Sequence, residues 1–224
     1  MATELARALA AMHALTVIDL IAVAVFAITG ALTASRKQLD IVAFIWLGVV
    51  TGVGGGTLRD LLLGVPVFWV QQPAFVVVSA VVAALVYFVA HVPQSRYRVL
   101  LWLDAVGLAF VSVAGAEKAL AAGAGPTIAV VMGVITAAVG GIVRDVLGQE
   151  PSILLKKEIY ISAALLGAAA YVAALGAGAT ALMAQMTGIG LAFGLRALAI
   201  SRGWSLPTYR PRAGRTAAEI ERLP

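Results

Sequence analysis

Two charged dipeptides stand inside long apolar stretches of this sequence, and each follows a glycine-rich segment. The first is Arg59-Asp60, at the end of TGVGGGTLRD, and the second is Arg144-Asp145, at the end of TAAVGGIVRD. Charged side chains are costly in apolar surroundings and mark candidate functional sites there. Such a pair could anchor the end of a helix, with the arginine reaching toward the interface, or it could gate the passage of ions. The sequence leaves both interpretations open.

The glycines of the first segment could belong to a phosphate-binding loop, but the pattern excludes one. The Lys and the Ser or Thr that must follow the last glycine of such a loop are absent, and no strand precedes the segment. Gly48, Gly52 and Gly56 recur every four residues, which is typical of membrane helices that pack closely. Gly54 and Gly55 do not fit that spacing, so we expect them to break the helix instead.

Consecutive glycines weaken a helix, so the two segments predict kinks in two membrane helices. Backbone carbonyls released at membrane depth are tolerated only inside protein or beside water, where they can coordinate a cation. Threonine hydroxyls nearby would add oxygen ligands. The residues predicted to form the kinks or to line such a pathway are Gly54, Gly55, Gly56, Gly140, Gly141, Thr51 and Thr136.

Two aspartates accompany the dipeptides. A carboxylate near the start of a helix is stabilised by the helix dipole, which alone could explain both; alternatively, they supply negative charge at the two mouths of a pathway. The predicted gate or mouth charges are Arg59, Asp60, Arg144, Asp145, Asp19 and Asp104. Two further charged groups are Glu117-Lys118 and Lys156-Lys157-Glu158. They could be surface charge or ligand-sensing charge, and we favour surface charge.

The composition is that of a membrane protein with many spans. Of the 224 residues 62% are hydrophobic and 12% are charged, and the mean hydropathy is +0.99. A soluble domain is about half apolar and a quarter charged, so this chain lacks the polar residues to cover a soluble surface. It has no cysteine, and its two histidines share no ligand spacing. We therefore expect that the chain is not an enzyme and that it binds no cofactor, no resident metal and no nucleic acid.

Seven apolar runs approach the ~20 residues that a membrane-spanning helix needs. They are residues 15–34, 41–63, 70–90, 99–120, 127–147, 157–175 and 179–200. The residues before the first run are predicted to be a short amphipathic lead-in rather than a signal peptide. Residues 201–224 are polar and basic and are predicted to be a cytoplasmic tail, largely disordered.

Lysine and arginine are distributed unevenly about these spans, which predicts their orientation. If the N-terminus lies outside, thirteen of the sixteen basic residues fall on the cytoplasmic side. Only Arg7, Arg59 and Lys118 then fall on the outer side. This bias favours an odd number of spans and a cytoplasmic C-terminus.

The two dipeptides belong to an internal repeat with an offset of 85 residues. Fourteen of the 48 pairs between residues 19–66 and 104–151 are identical, and they include charged and glycine positions that apolar composition would not match. Each copy holds three spans, and an odd number inverts the second copy in the membrane. The sequence therefore predicts an all-α membrane protein with seven transmembrane helices. Residues 15–90 and 99–175 are the two inverted three-helix repeats, and residues 179–200 are a seventh helix.

The doubled segments GGGTLRD and VGGIVRD, set in three-plus-three-plus-one spans, resemble the prokaryotic branch of the trimeric intracellular cation (TRIC) channel family. The resemblance covers about residues 15–200, and that branch overlaps a bacterial glycine-transporter domain family. It implies a homotrimer with one pore per protomer, permeable to monovalent cations, chiefly K⁺ and also Na⁺. It also implies that spans 2 and 5, kinked at Gly54–Gly56 and Gly140–Gly141, line the pore.

The resemblance places the chain in a bacterial inner membrane, with membrane lipid and further copies of the chain as partners. The permeant K⁺ or Na⁺ would be cargo rather than a cofactor. The alternative function is a secondary transporter of a small neutral solute such as glycine, because inverted repeats and broken helices suit a transporter equally well.

Overall fold

The structure is a computed structural model that describes residues 2–91, 96–151 and 159–207. These residues contain eight helices. In chain order they are α1 (Ala2–Arg36), α2 (Ile41–Leu62), α3 (Phe68–Gln71), α4 (Ala74–Val89), α5 (Arg96–Ala121), α6 (Pro126–Leu147), α7 (Ile161–Gly176) and α8 (Ala181–Arg202).

Five of these helices are long and apolar enough to cross a membrane: α1 from Asp19 onward, α2, α5, α6 and α8. Helices α4 and α7 are apolar but have only 16 residues each. Large apolar side chains cover much of the outside; Trp46, Leu85 and Phe88 are each more than 60% exposed. Such an apolar exterior suits lipid rather than water, since monomeric soluble proteins rarely expose contiguous apolar patches of this kind.

The ends of the helices agree with local sequence signals. Asp40 caps α2, and its Oδ1 accepts a hydrogen bond from the backbone N–H of Ala43 at 2.8 Å. Pro126 occupies the first position of α6, where its missing N–H costs nothing. Helix α8 ends at Gly203, whose φ of 65° is the left-handed conformation that favours glycine.

Several predicted boundaries were wrong. Helix α1 runs without interruption from Ala2, because the alanine- and leucine-rich lead-in is itself a strong helix former. The predicted third span began too early: Pro73 precedes α4, and the separate short helix α3 lies before it. The charges predicted at Lys156, Lys157 and Glu158 and the tail beyond residue 207 lie outside the described residues.

Glycines mark equivalent helix contacts in the two copies of the repeat. A Cβ at Gly48 would lie 2.5 Å from Ala83 Cβ, and one at Gly133 would lie 2.8 Å from Ala168 Cβ. Both partners of the second contact stand 85 residues after those of the first. A Cβ at Gly30 would likewise lie close to Thr51 Oγ1, and one at Gly115 would lie close to Thr136 Oγ1. Gly115 and Thr136 are again the residues 85 positions after Gly30 and Thr51.

Helices α2 and α6 cross where the glycine-rich segments meet. A Cβ at Gly55 would overlap the Thr136 carbonyl oxygen, and a Cβ at Gly140 would lie 2.7 Å from the Thr51 carbonyl oxygen. Because the earlier residue of one helix meets the later residue of the other, the two helices run antiparallel at this crossing. Arg59 and Arg144 each lie four residues beyond it in opposite directions, roughly 18 Å apart along the axes at 1.5 Å per residue.

The glycine segments do not interrupt their helices. Helix α2 continues through Gly54, Gly55 and Gly56, and α6 continues through Gly140 and Gly141. The prediction that Gly54 and Gly55 break the helix was therefore wrong. At Gly55 the absent side chain lets two backbones approach closely, as at other membrane helix contacts. Gly54 differs from Gly55, because a Cβ there would have only Val143 Cγ2 nearby, at 4.0 Å.

This difference gives a matched pair of substitutions. Gly55→Ala should lower the free energy of unfolding by about 1–3 kcal/mol, because the added methyl group has no space at the crossing. Gly54→Ala should be neutral or slightly stabilising, since alanine is the better helix former. Thermal unfolding of the purified protein in detergent measures both. Equal loss of stability in the two variants would contradict the crossing.

Candidate functional site

The first charge cluster consists of Arg59, Asp60 and Lys118. Asp60 lies at its centre and is fully buried. Its Oδ1 accepts a hydrogen bond from Arg59 Nε at 2.8 Å, and its Oδ2 accepts one from Lys118 Nζ at 2.9 Å. One carboxylate from α2 therefore holds two cations, one of which comes from α5.

An aromatic ring covers this cluster. The backbone N–H of Phe68, at the start of α3, donates to Asp60 Oδ2 at 2.8 Å. The Phe68 ring centroid lies 5.7 Å from the Arg59 guanidinium carbon and 5.5 Å from Lys118 Nζ, within cation–π range. Gly56 makes room for this ring, because a Cβ there would lie 2.6 Å from Phe68 Cε1.

The second charge cluster consists of Asp104, Arg144 and Asp145. Arg144 is fully buried; its Nη1 donates to Asp104 Oδ1 at 2.7 Å, and its Nε donates to Asp145 Oδ1 at 2.9 Å. Nη1 also donates to Thr29 Oγ1 on α1 at 3.1 Å. Gly141 leaves space beside this cluster, where a Cβ would lie 3.0 Å from Tyr160 Oη. The other oxygen of Asp104 has no hydrogen-bond partner among the described residues.

These positions exclude the simpler interpretations of the charges. Both arginines are buried, with exposures of 6% for Arg59 and 0% for Arg144, so neither extends to the membrane interface. Asp104 lies inside α5, nine residues into a helix that starts at Arg96, and Asp19 lies deep within α1. The helix dipole acts within the first turn and does not explain either aspartate.

The two clusters differ in how their aspartates are bound. In the second cluster Arg144 joins Asp104 to Asp145. No salt bridge joins the equivalent residues Arg59 and Asp19 in the described part of the chain, although both line the same small cavity. In the first cluster the second oxygen of Asp60 accepts from Lys118 instead. Asp19 has no salt bridge among the described residues and borders cavities.

Three cavities meet at Asp19. The vestibule, of about 510 Å³, lies beside Phe68, Lys118 and Asp19. A small cavity of about 30 Å³ also contacts Phe68 and continues past Arg59 to Thr136 at the helix crossing; it has room for about one water molecule. A third cavity, of about 220 Å³, lies against Glu117. Phe68 lines both the vestibule and the small cavity, as Asp19 does.

The threonines at the crossing use their hydroxyl hydrogens within their own helices. Thr51 Oγ1 donates to the Leu47 carbonyl at 2.6 Å, and Thr136 Oγ1 donates to the Met132 carbonyl at 2.5 Å. Both side chains are buried. Of the two, only Thr136 lines the small cavity, and its hydroxyl oxygen can act there only as an acceptor, which suits a cation or a water hydrogen.

The sequence did not predict the roles of two residues at the first cluster, its member Lys118 and the covering Phe68. Lys118 was predicted to be a surface charge, but it is bonded to the buried Asp60. The repeat gave no signal for it, because the equivalent position in the first copy is Thr33. Phe68 lies between the predicted second and third spans, beyond the gap-free comparison of residues 19–66 with 104–151, and no residue type there indicated a role. In the described residues no group of three or more His, Cys, Asp or Glu side chains could hold a metal ion.

Comparison with known proteins identifies the family. A family model described as Glycine transporter matches the chain twice, over residues 16–91 and 101–176, which lie 85 residues apart. A solved structure of the TRIC trimeric intracellular cation channel orthologue from Rhodobacter sphaeroides is 55% identical in sequence. The match covers 85% of this chain and 99% of that chain, with a TM-score of 0.83. This chain belongs to the bacterial TRIC channel family.

Two curated relatives of this TRIC-family protein are similar over most of their length. The UPF0126 inner membrane protein YadS of Escherichia coli K12 is 42% identical over 195 residues, 86% of this chain and 94% of the relative. A UPF0126 membrane protein of Vibrio cholerae serotype O1 is 38% identical over 200 residues, 87% and 82% of the two chains. With its apolar helices, this TRIC-family protein is a multi-pass inner membrane protein.

Proposed function

We propose that this protein is a channel for monovalent cations, permeable to K⁺ and to Na⁺. The observation that carries the proposal is the meeting of the vestibule and the small cavity at the Asp19 carboxylate. The two basic side chains near Asp19 are Arg59 and Lys118, and both form ion pairs with Asp60. An unpaired arginine would oppose cation entry, whereas a paired one leaves Asp19 to attract cations. The similarity to the Rhodobacter sphaeroides cation channel supports the same function.

The proposed pathway runs from the vestibule past Phe68, Asp19 and Arg59 to Thr136. Beyond the helix crossing it would have to pass the second charge cluster, where Arg144 bonds to two aspartates and Thr29. In this proposal Arg144 closes that end, and opening requires Arg144 to leave Asp104. Bending of α2 and α6 at Gly54–Gly56 and Gly140–Gly141 is a further part of the proposal, since glycine lowers the cost of bending a helix.

We infer seven membrane spans in two inverted repeats, with α8 outside the repeat. The antiparallel crossing and the twice-matching family model support this arrangement. The bias of basic residues supports an outer N-terminus and a cytoplasmic C-terminus, so the vestibule faces outward. The Rhodobacter sphaeroides protein is described as trimeric, and we propose a homotrimer with one pathway in each protomer.

No residue of either cluster is a nucleophile with an adjacent base, as an enzyme would need.

Phe68 should limit the current, because its ring lines both the vestibule and the small cavity where the two meet at Asp19. Phe68→Ala is expected to raise K⁺ flux into proteoliposomes about two- to fivefold by widening this contact. Phe88→Ala is the matched control, since Phe88 is 63% exposed on the apolar outside. Flux that does not rise in Phe68→Ala, or that rises equally in both variants, would remove Phe68 from the pathway.

The family description favours a second function, secondary transport of glycine. The same proteoliposomes distinguish the two. A channel releases K⁺ at a rate that does not saturate in the low millimolar range and takes up no glycine. A transporter takes up labelled glycine saturably and only with an ion gradient, and that result, without K⁺ flux, would overturn the channel proposal.

A further inference from the structure

Two adjoining cavities form a groove between α5 and α8 on the apolar outside of the molecule. Its lower part, of about 240 Å³, is lined only by apolar residues, among them Phe110, Ile189 and Gly190. Its upper part, of about 220 Å³, shares Phe110 and Ile189 and reaches the charged residues near Asp19. The two parts form one groove that is apolar at one end and charged at the other.

The apolar part is open rather than filled by the protein's own side chains. A Cβ at Gly190 would meet nothing within 4 Å, and the neighbouring Met186 is 63% exposed. From Gln185 to Phe193 the helix spans about 12 Å at 1.5 Å per residue. A chain of methylene groups laid along this length would bury its apolar surface against the helix.

The charged end carries two carboxylates and one ammonium. Glu117 is fixed in position, because Gln185 Nε2 donates to both of its oxygens at 3.0 Å and Gln185 is itself buried. Asp19 lines the same cavity, and no salt bridge in the described part of the chain joins it to a cation. Lys118 also lines it and keeps a third of its side chain exposed while bonded to Asp60.

From this arrangement we infer that the α5–α8 groove binds a phospholipid with a primary ammonium headgroup. The acyl chain lies along Phe110, Ile189 and Gly190. The ammonium donates a hydrogen bond to Glu117, which retains free lone pairs, and the lipid phosphate lies toward Lys118. A phosphocholine headgroup has no N–H to donate, and a phosphoglycerol headgroup has no positive charge. The groove therefore selects phosphatidylethanolamine over both.

Native mass spectrometry of the purified full-length protein tests this inference. The protein in detergent is titrated with phosphatidylethanolamine, phosphatidylcholine and phosphatidylglycerol that carry identical acyl chains. We expect one tightly retained phosphatidylethanolamine per protomer, preferred over the other two by about tenfold, which corresponds to about 1.4 kcal/mol. Retention of the three lipids to the same degree would overturn the inference, as would a preference for phosphatidylglycerol.

Two variants locate the site. Gly190→Leu should remove the retained lipid by filling the groove, whereas Gly176→Leu, at another glycine with nothing within 4 Å, should keep it.

Glu117→Gln should keep a lipid but lose the headgroup preference, because the amide has no charge. Unchanged phosphatidylethanolamine binding in Gly190→Leu, with the elution volume of the unmodified protein, contradicts the site. If Gly190→Leu does not fold, the headgroup preference in Glu117→Gln decides alone. All readouts are masses, so they do not depend on the channel proposal.

Discussion

Arg144→Met should unfold at a much lower temperature than the unmodified protein. The substitution removes the cation that Asp104 and Asp145 share, and losing one partner of a buried ion pair costs about 3–5 kcal/mol. Methionine fills much of the space of the arginine stem, so the loss reports charge rather than a cavity. Adding Asp104→Asn should restore part of the stability, because it removes the buried carboxylate charge that Arg144 Nη1 had bonded.

Thermal unfolding followed by size-exclusion chromatography in detergent measures this effect. Arg202→Met is the matched control, since Arg202 is exposed at the end of α8 and contacts only the Trp204 ring, at 5.5 Å, among the described contacts. A fall in Arg144→Met no larger than that in Arg202→Met would show that the second charge cluster is not a buried ion-pair network. A double variant no more stable than Arg144→Met would show that Asp104 and Arg144 are not coupled.

Asp19→Asn should lower the K⁺ current of single channels roughly fivefold at low ionic strength, because a carboxylate at a narrow entrance raises the local cation concentration. The difference should shrink as KCl rises toward 1 M, where the screening length falls to about 3 Å. This salt dependence separates an electrostatic role from a merely structural one, because a distorted entrance would lower the current at every salt concentration.

Asp40→Asn is the matched control for Asp19→Asn. Asp40 is exposed and caps α2, and asparagine caps a helix about as well as aspartate. The same neutralisation at a site away from the vestibule should leave the current unchanged. An equal current in Asp19→Asn and the unmodified protein at low salt would remove Asp19 from the proposed entrance.

The helices and the charged positions could be predicted because each depends on local sequence. Apolar runs of about 20 residues indicate spans, and a charge repeated 85 residues later inside such a run indicates an equivalent position in the fold rather than chance. Helices α2 and α6 were predicted to within one residue at each end, at residues 41–63 and 127–147. The short helix α3 could not be predicted, because its four residues lack any periodicity.

The role of the glycines could not be predicted from the sequence alone. A glycine that permits a bend and a glycine that permits a close contact have the same local pattern, and only the partner backbone distinguishes them. At Gly55 the partner is Thr136, 81 residues away in sequence, and at Gly140 it is Thr51, 89 residues away. The role of Lys118 was equally hard to predict. A lysine near the end of a helix is usually a surface charge, and only the structure shows that Asp60, from another helix, is its partner.

The most direct test of the account is the reversal potential of single-channel currents from the purified protein in a planar bilayer. With a tenfold KCl gradient, a cation pathway predicts reversal near the K⁺ equilibrium potential, about 59 mV in magnitude. Currents that reverse near the Cl⁻ equilibrium potential, of opposite sign, would contradict the account. So would the absence of current above that of a protein-free bilayer.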